Sequence, residues 1–149
     1  MSLSSKVLYD QFVDDIELKW GSEESKKIAQ IVFNHLFGLS RIDIFLNKSI
    51  ALFDERLIPI SKRLLKGEPV QYILNQSTFY GLSFFVNPFV LIPRQETEEL
   101  VALILEENDH SIKNILDIGT GSGIIALTLR KHRPKWNVSV WDLSPEALE

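Results

Sequence analysis

Three glycines fall at alternate positions, Gly119, Gly121 and Gly123, between an apolar run at 115–118 and a second apolar run that resumes at Ile124. Glycine at that density marks backbone that takes positive φ or passes close to a ligand. A strand that turns through such glycines into a helix offers backbone N–H groups and the positive end of the helix dipole to a polar ligand. Asp117 stands just before the turn, and Asp142, 19 positions beyond Gly123, closes the next apolar run. An acid placed there accepts both hydroxyls of a ribose, so the chemistry suggested is recognition of a nucleoside. The spacing argues against one class of nucleoside ligand. A dinucleotide fingerprint wants glycines at offsets 0, 2 and 5, and offset 5 from Gly119 is Ile124. The candidate ligand-binding set is therefore Asp117, Gly119, Thr120, Gly121, Ser122, Gly123 and Asp142.

Positioning these residues requires a strand over 115–118, a helix from Ile124 to about Lys131 and a second strand over 138–141. That order is the opening half of a parallel α/β sheet. Before it, "RQETEELVALILEE" predicts a helix with Leu100, Val101, Ile104 and Leu105 inward and Gln95 or Thr97 near its start. "STFYGLSFFVNPFVLIP" is rich in Phe, Tyr and Val, with turn residues at Gly81 and at Asn87-Pro88, and predicts a β-hairpin. The first 67 residues read as a helical bundle. Leu8, Phe12, Ile16 and Trp20 mark one face of a first helix ending at Gly21. Ser22 is placed to cap a second, whose stripe is Ile28, Ile31, Val32, His35 and Leu36. Ser40 caps a short third helix through Ile42, Phe45 and Leu46. A fourth runs to about Lys66 with Leu57, Ile60 and Leu64 inward, and Pro59 either starts or kinks it. The break at Gly67-Glu68-Pro69 divides the chain into a helical docking domain over 1–67, a hairpin linker over 68–94 and an α/β part over 95–149.

Composition narrows the setting. The chain of 149 residues has no cysteine, which excludes a disulfide framework and a thiolate metal site and makes the cytoplasm the expected compartment. Acids among the first twenty residues are wrong for a signal peptide, and no apolar run approaches a membrane span. The net charge is −4; residues 1–67 carry 10 basic against 9 acidic side chains, and 68–149 carry 6 against 11. Neither half has the basic excess of a sequence-specific nucleic-acid binder. His35, His110 and His132 lack ligand spacing, so no metal is expected. The clusters Lys26-Lys27 and Lys62-Arg63-Lys66 read as solvated helix faces.

Asp-x-Gly-x-Gly-x-Gly resembles motif I of the S-adenosylmethionine-dependent methyltransferases. With "KGEPVQYIL", "FYGLSFFVNPFVLIPRQETEELV" and "ILDIGTGSGIIALTL" in that order behind a helical domain, the whole chain resembles the HemK/PrmC family of release-factor glutamine methyltransferases. The family has Pro-Glu or Pro-Asp after the arginine, where this chain has Gln95-Glu96. The resemblance implies a helical domain that docks a class 1 peptide-chain release factor, and a Rossmann-like domain that holds S-adenosylmethionine. The methyl group would go to the side-chain amide of the glutamine in a Gly-Gly-Gln loop, with any contact to the ribosome indirect. It also places the segment of Arg94 and Glu98 beside the cofactor, and offers Phe79 and Tyr80, which read as strand core, as pocket walls. The family orients the amide with an Asn-Pro-Pro-Tyr motif on a later strand. That tetrapeptide does not occur in these 149 residues, and Asn87-Pro88-Phe89 reads as a turn, so no catalytic residue is assigned. A piece of a longer enzyme is expected, inactive alone, with an α/β part loosely ordered because much of Ile115, Leu116, Ile118, Val138 and Val140 would face water. The alternatives are a ribosomal-protein glutamine methyltransferase and a non-catalytic module that binds a translation factor.

Overall fold

The computed structural model describes residues 2–51 and 55–148. The chain divides into two compact units, Met1–Leu74 and Asn75–Glu149.

In the first unit, β1 (Ser2–Ser4) leads into α1 (Ser5–Trp20), followed by α2 (Ser22–Phe37) and α3 (Arg41–Phe45). The Ser4 side chain accepts the Val7 N–H and starts α1, which buries Leu8, Phe12, Val13 and Ile16. Gly21, at φ 75°, joins α1 to α2 directly and is the N-cap of α2. Ser22 is thus already helical and is not the predicted cap. The buried stripe of α2 is Ser25, Ile28, Ala29, Val32 and Phe33. It lies rotated from the predicted one, for Ile31 and His35 are exposed. The aromatic ring of Phe33 decides that rotation, since it packs edge-on against Tyr9, Phe12 and Phe37 at centroid distances of 5.3, 6.0 and 5.3 Å. Burying a phenylalanine stabilises by roughly 1.5–3 kcal/mol, more than Ile31 gains from half-exposure.

Ser40 does cap α3, in a reciprocal capping box with Asp43. Ile44 is the inward residue of that helix, whereas Ile42, Phe45 and Leu46 point to solvent. A short β2 (Ser49–Ala51) pairs antiparallel with β1. Next come α4 (Leu57–Leu65), burying Leu57, Ile60 and Leu64, and α5 (Val70–Leu74). Pro59 is the third residue of α4, where its missing N–H has no intrahelical partner to lose. It therefore belongs to the start of the helix. The indole N–H of Trp20 donates to the Leu64 carbonyl at 3.0 Å and ties α1 to α4.

The second unit opens with the expected hairpin, β3 (Ser77–Phe79) against β4 (Leu82–Phe84), turning through Tyr80 and Gly81. Asn87-Pro88 makes a second turn, in which the Asn87 carboxamide accepts the Phe89 N–H at 3.0 Å. Helix α6 (Gln95–Glu107) follows, with Arg94 at its N-cap. Gln95 is its first residue, a position that suits the proline of the resembling family. Then β5 (Asn114–Ile118), α7 (Ile124–His132) and β6 (Asn137–Trp141) form a parallel βαβ unit, with Ile115 opposite Val138 and Ile118 opposite Trp141. Its core is Phe79, Phe84, Val101, Leu129 and Trp136, and Ile115 and Val138 pack against it. Leu116, Ile118 and Trp141, on the other face of the pleat, stay open to water at 60, 67 and 53% exposure.

Candidate cofactor-binding turn

The turn between β5 and α7 has three left-handed residues, Gly119, Gly121 and Gly123, at φ 75°, 54° and 72°. Side chains rarely adopt that backbone, which explains the alternation of glycine with Thr120 and Ser122. The turn is tied to the next strand by the Trp141 carbonyl, which accepts the N–H groups of Gly119 and Thr120 at 2.8 and 3.2 Å. It is tied internally by the Gly123 N–H donating to the Thr120 carbonyl at 2.9 Å. Leu127 is the first residue to donate back along the helix, to Gly123. The N–H groups of Ile124, Ile125 and Ala126 are thus the unpaired donors of a helix start, and Gly123 supplies no side-chain cap.

Both acids singled out from the sequence close onto this turn. The Thr120 hydroxyl, 8% exposed, donates to Asp117 Oδ2 at 2.8 Å. Asp142 Oδ2 accepts the Gly121 N–H at 2.8 Å while its Oδ1 accepts the Ser144 N–H at 2.9 Å. These backbone donors, Ser144 first and then Gly121, hold the Asp142 carboxyl below the ordinary carboxylate range. The group is therefore charged at neutral pH. Each carboxylate oxygen has a further lone pair, so acceptor capacity remains for ribose hydroxyls. A Cβ built on Gly119 or Gly121 meets no heavy atom within 4 Å. The turn borders open space, and donors, acid and room together fit a nucleoside with a charged tail.

Other candidates lie elsewhere in the unit. Phe79 is core, edge-on to Phe84 at 6.2 Å. Tyr80, at φ 49°, stacks edge-on with His132 at 5.2 Å. His132 ends α7, about 13 Å along the helix from the glycine turn at 1.5 Å per residue. Tyr80 therefore sits at the far end of α7 and does not wall the turn. Glu98, which the sequence offered beside the cofactor, accepts the Tyr80 N–H at 2.6 Å. It anchors the hairpin turn to α6. Sequence reasoning missed that contact, because nothing in the residues marks a non-glycine at positive φ. Among the described residues no His, Asp or Glu cluster has the makings of a metal site, and no helix is long and apolar enough to cross a membrane.

Residues 18–74 match the PrmC N-terminal domain and residues 95–149 match the methyltransferase small domain. The chain thus joins a PrmC N-terminal domain to a methyltransferase small domain. The PrmC match ends at Leu74, where the first unit ends. Among its curated relatives, the release factor glutamine methyltransferase of Bacteroides thetaiotaomicron is 45% identical over 129 residues, covering 85% of this chain and 46% of the relative. That of Streptococcus pneumoniae is 42% identical over 146 residues, 95% of this chain and 51% of the relative. The enzyme of Flavobacterium psychrophilum is 40% identical over 145 residues, 93% and 51% respectively. The chain thus spans about half the length of the curated relatives it matches.

Proposed function

We propose that the chain is the docking unit and cofactor-binding start of an S-adenosylmethionine-dependent methyltransferase acting on the glutamine amide of a class 1 release factor. The observation that carries the reading is the closure of Asp142 onto Gly121 beside open space. Asp142 would take the ribose hydroxyls, and the turn from Gly119 to Gly123 would pass beneath the rest of the nucleoside. Asp117, held by Thr120, fixes the start of the turn and would lie within the same site. S-adenosylmethionine supplies an electrophilic methyl on a sulfonium. Domain boundaries near residues 67 and 94 remain the proposed division of labour between docking, linking and cofactor binding.

An amide nitrogen is a poor nucleophile because its lone pair is delocalised into the carbonyl. Catalysis on it therefore rests on orientation. The residues proposed for that orientation, Asn-Pro-Pro-Tyr, do not occur among these 149, and the chain by itself is proposed to transfer no methyl.

Calorimetric titration with S-adenosylhomocysteine tests the cofactor reading. Saturable binding by the chain, lost in Asp142→Ala, is expected. A folded chain that takes up no ligand overturns the reading. Radiolabelled methyl on the release-factor glutamine with this chain alone would contradict the proposed division between cofactor binding and amide orientation.

A further inference from the structure

We propose that a cleft framed by α1, α2 and α3 in the helical unit seats an acidic peptide segment with apolar side chains, presented by the protein substrate. The choice of substrate rests on the reading above, while the chemistry of the cleft is read from its own walls. The cleft encloses about 600 Å³. Its apolar floor comes from Val13 of α1 and Ile44 of α3, and Ile31 of α2 and Phe45 of α3 extend the apolar lining to the surface. Phe45 is 79% exposed and its neighbour Ile42 69%. The five-residue α3, held by a capping box, thus turns Phe45 outward at the lip of the cleft. Aromatic side chains such as Phe45 are enriched at protein contacts.

The rim supplies the second half of the recognition. Lys6, Lys26, Lys27 and Arg41 line the cleft against only two carboxylates, Asp10 and Glu23. Both acids are engaged by same-helix partners, Lys6–Asp10 at 2.8 Å and Lys26–Glu23 at 3.0 Å. Lys27 reaches Glu24 at 3.4 Å. Among the described residues Arg41 forms no ion pair. With Glu24 counted, the four cations face three carboxylates, so the excess positive charge of the rim is that of Arg41, and it is this side chain that an arriving carboxylate meets. An apolar floor under a cationic rim matches an acidic amphipathic peptide better than RNA. A phosphate backbone leaves the floor unused, and residues 1–67 carry only one more basic than acidic side chain, 10 against 9.

The test is fluorescence anisotropy of a labelled class 1 release factor titrated with the 149-residue chain, with Arg41→Glu and Phe45→Ser as variants. Both positions are exposed, so both variants keep the wild-type circular dichroism spectrum. Each is expected to weaken binding about tenfold, Arg41→Glu with a flattened salt dependence and Phe45→Ser with the wild-type one. Unchanged affinity in both variants, or no binding by the wild-type chain, overturns the proposal. A larger effect of Arg41→Glu on a single-stranded RNA oligonucleotide than on the release factor makes the occupant RNA and overturns it as well. The titration with S-adenosylhomocysteine reads the other unit, so failure of either experiment is distinguishable from failure of the other.

Discussion

Two glycine-to-alanine variants separate the structural role of a left-handed residue from its role beneath a ligand. Gly121 lies in the turn at φ 54° and Gly38 ends α2 at φ 65°, and a Cβ on either meets no heavy atom within 4 Å. Neither variant clashes, so each carries only the left-handed backbone cost, about 1–2 kcal/mol. The units span Met1–Leu74 and Asn75–Glu149, and for domains of that size 1 kcal/mol moves the unfolding midpoint by roughly 4–8 °C. Gly38→Ala is therefore expected to lower the midpoint of the first unit by that scale, and Gly121→Ala that of the second. The two diverge when ligand is added. S-adenosylhomocysteine at a hundred times its dissociation constant stabilises its site by about 2.7 kcal/mol. On the proposed placement of the ligand over the turn, a methyl on Gly121 would enter its space, and a tenfold loss of affinity would reduce that gain to about 1.4 kcal/mol at the same concentration.

Scanning fluorimetry with and without S-adenosylhomocysteine reads both quantities in one experiment. Gly38→Ala keeps the full ligand-induced rise of the second transition, and Gly121→Ala loses about half of it. A wild-type rise in Gly121→Ala would refute the placement of the ligand over the turn. A loss in Gly38→Ala equal to that in Gly121→Ala would refute the assignment of binding to the glycine turn. Wild-type midpoints for both variants without ligand would refute the strain argument itself.

Asp142 is held below the usual carboxylate range in the folded chain. Its contribution is therefore complete above the unfolded aspartate value near 4 and disappears as pH falls through the lower folded value. Ligand affinity should be flat from pH 5 to 8, by about the same argument, and drop only in acid; Asp142→Asn removes the acid limb in calorimetric titrations. Phe33→Ala should destabilise the first unit by about 3–5 kcal/mol, seen in urea unfolding as loss of helix signal while the aromatic signal of Trp136 is retained. Thr120→Val removes the bond to Asp117 and should cost about 1 kcal/mol, with a matching fall in ligand affinity. Glu98→Ala frees the Tyr80 N–H and should raise amide exchange at the hairpin turn without changing S-adenosylhomocysteine affinity, because Tyr80 lies at the opposite end of α7.

What the residues disclosed depended on how local the cause was. The glycine turn was legible because positive φ leaves its mark on composition, and the βαβ order was legible because β5 and β6 are apolar runs around an amphipathic helix. Inward positions on α1 and α4 followed from three- and four-residue spacing. The stripe of α2 was misplaced because Ile31 and Phe33 are both apolar, and only the cluster of Tyr9, Phe12 and Phe37 selects Phe33. Ser22 looked like a cap because serine is a good one, but Gly21 already turns the chain. Helix α5 was missed although Pro69, whose carbonyl accepts the Tyr72 N–H, is a start signal. The three-residue β1 and β2 carry too few positions to show a period. The contacts from Asp142 to Gly121 and from Glu98 to Tyr80 join residues 21 and 18 positions apart, and no periodicity encodes such partners.

The glycine turn is closed by its own βαβ unit. Trp141, Asp142, Asp117 and Thr120 supply the bonds that fix it, so its shape does not depend on what covers Leu116, Ile118 and Trp141. Those three side chains lie on the face of the sheet away from the core of Phe79, Leu129 and Trp136. A parallel sheet is stable when both faces are covered. At about 25 cal/mol per Å² of apolar surface, leaving three large side chains to water forgoes several kcal/mol, comparable with the margin of a small domain. The sheet should therefore exchange its amides faster than α1 and α4 even where the turn holds its geometry. Cofactor binding would then contribute order as well as chemistry, since a ligand held by Asp142 and the turn bridges the ends of both strands.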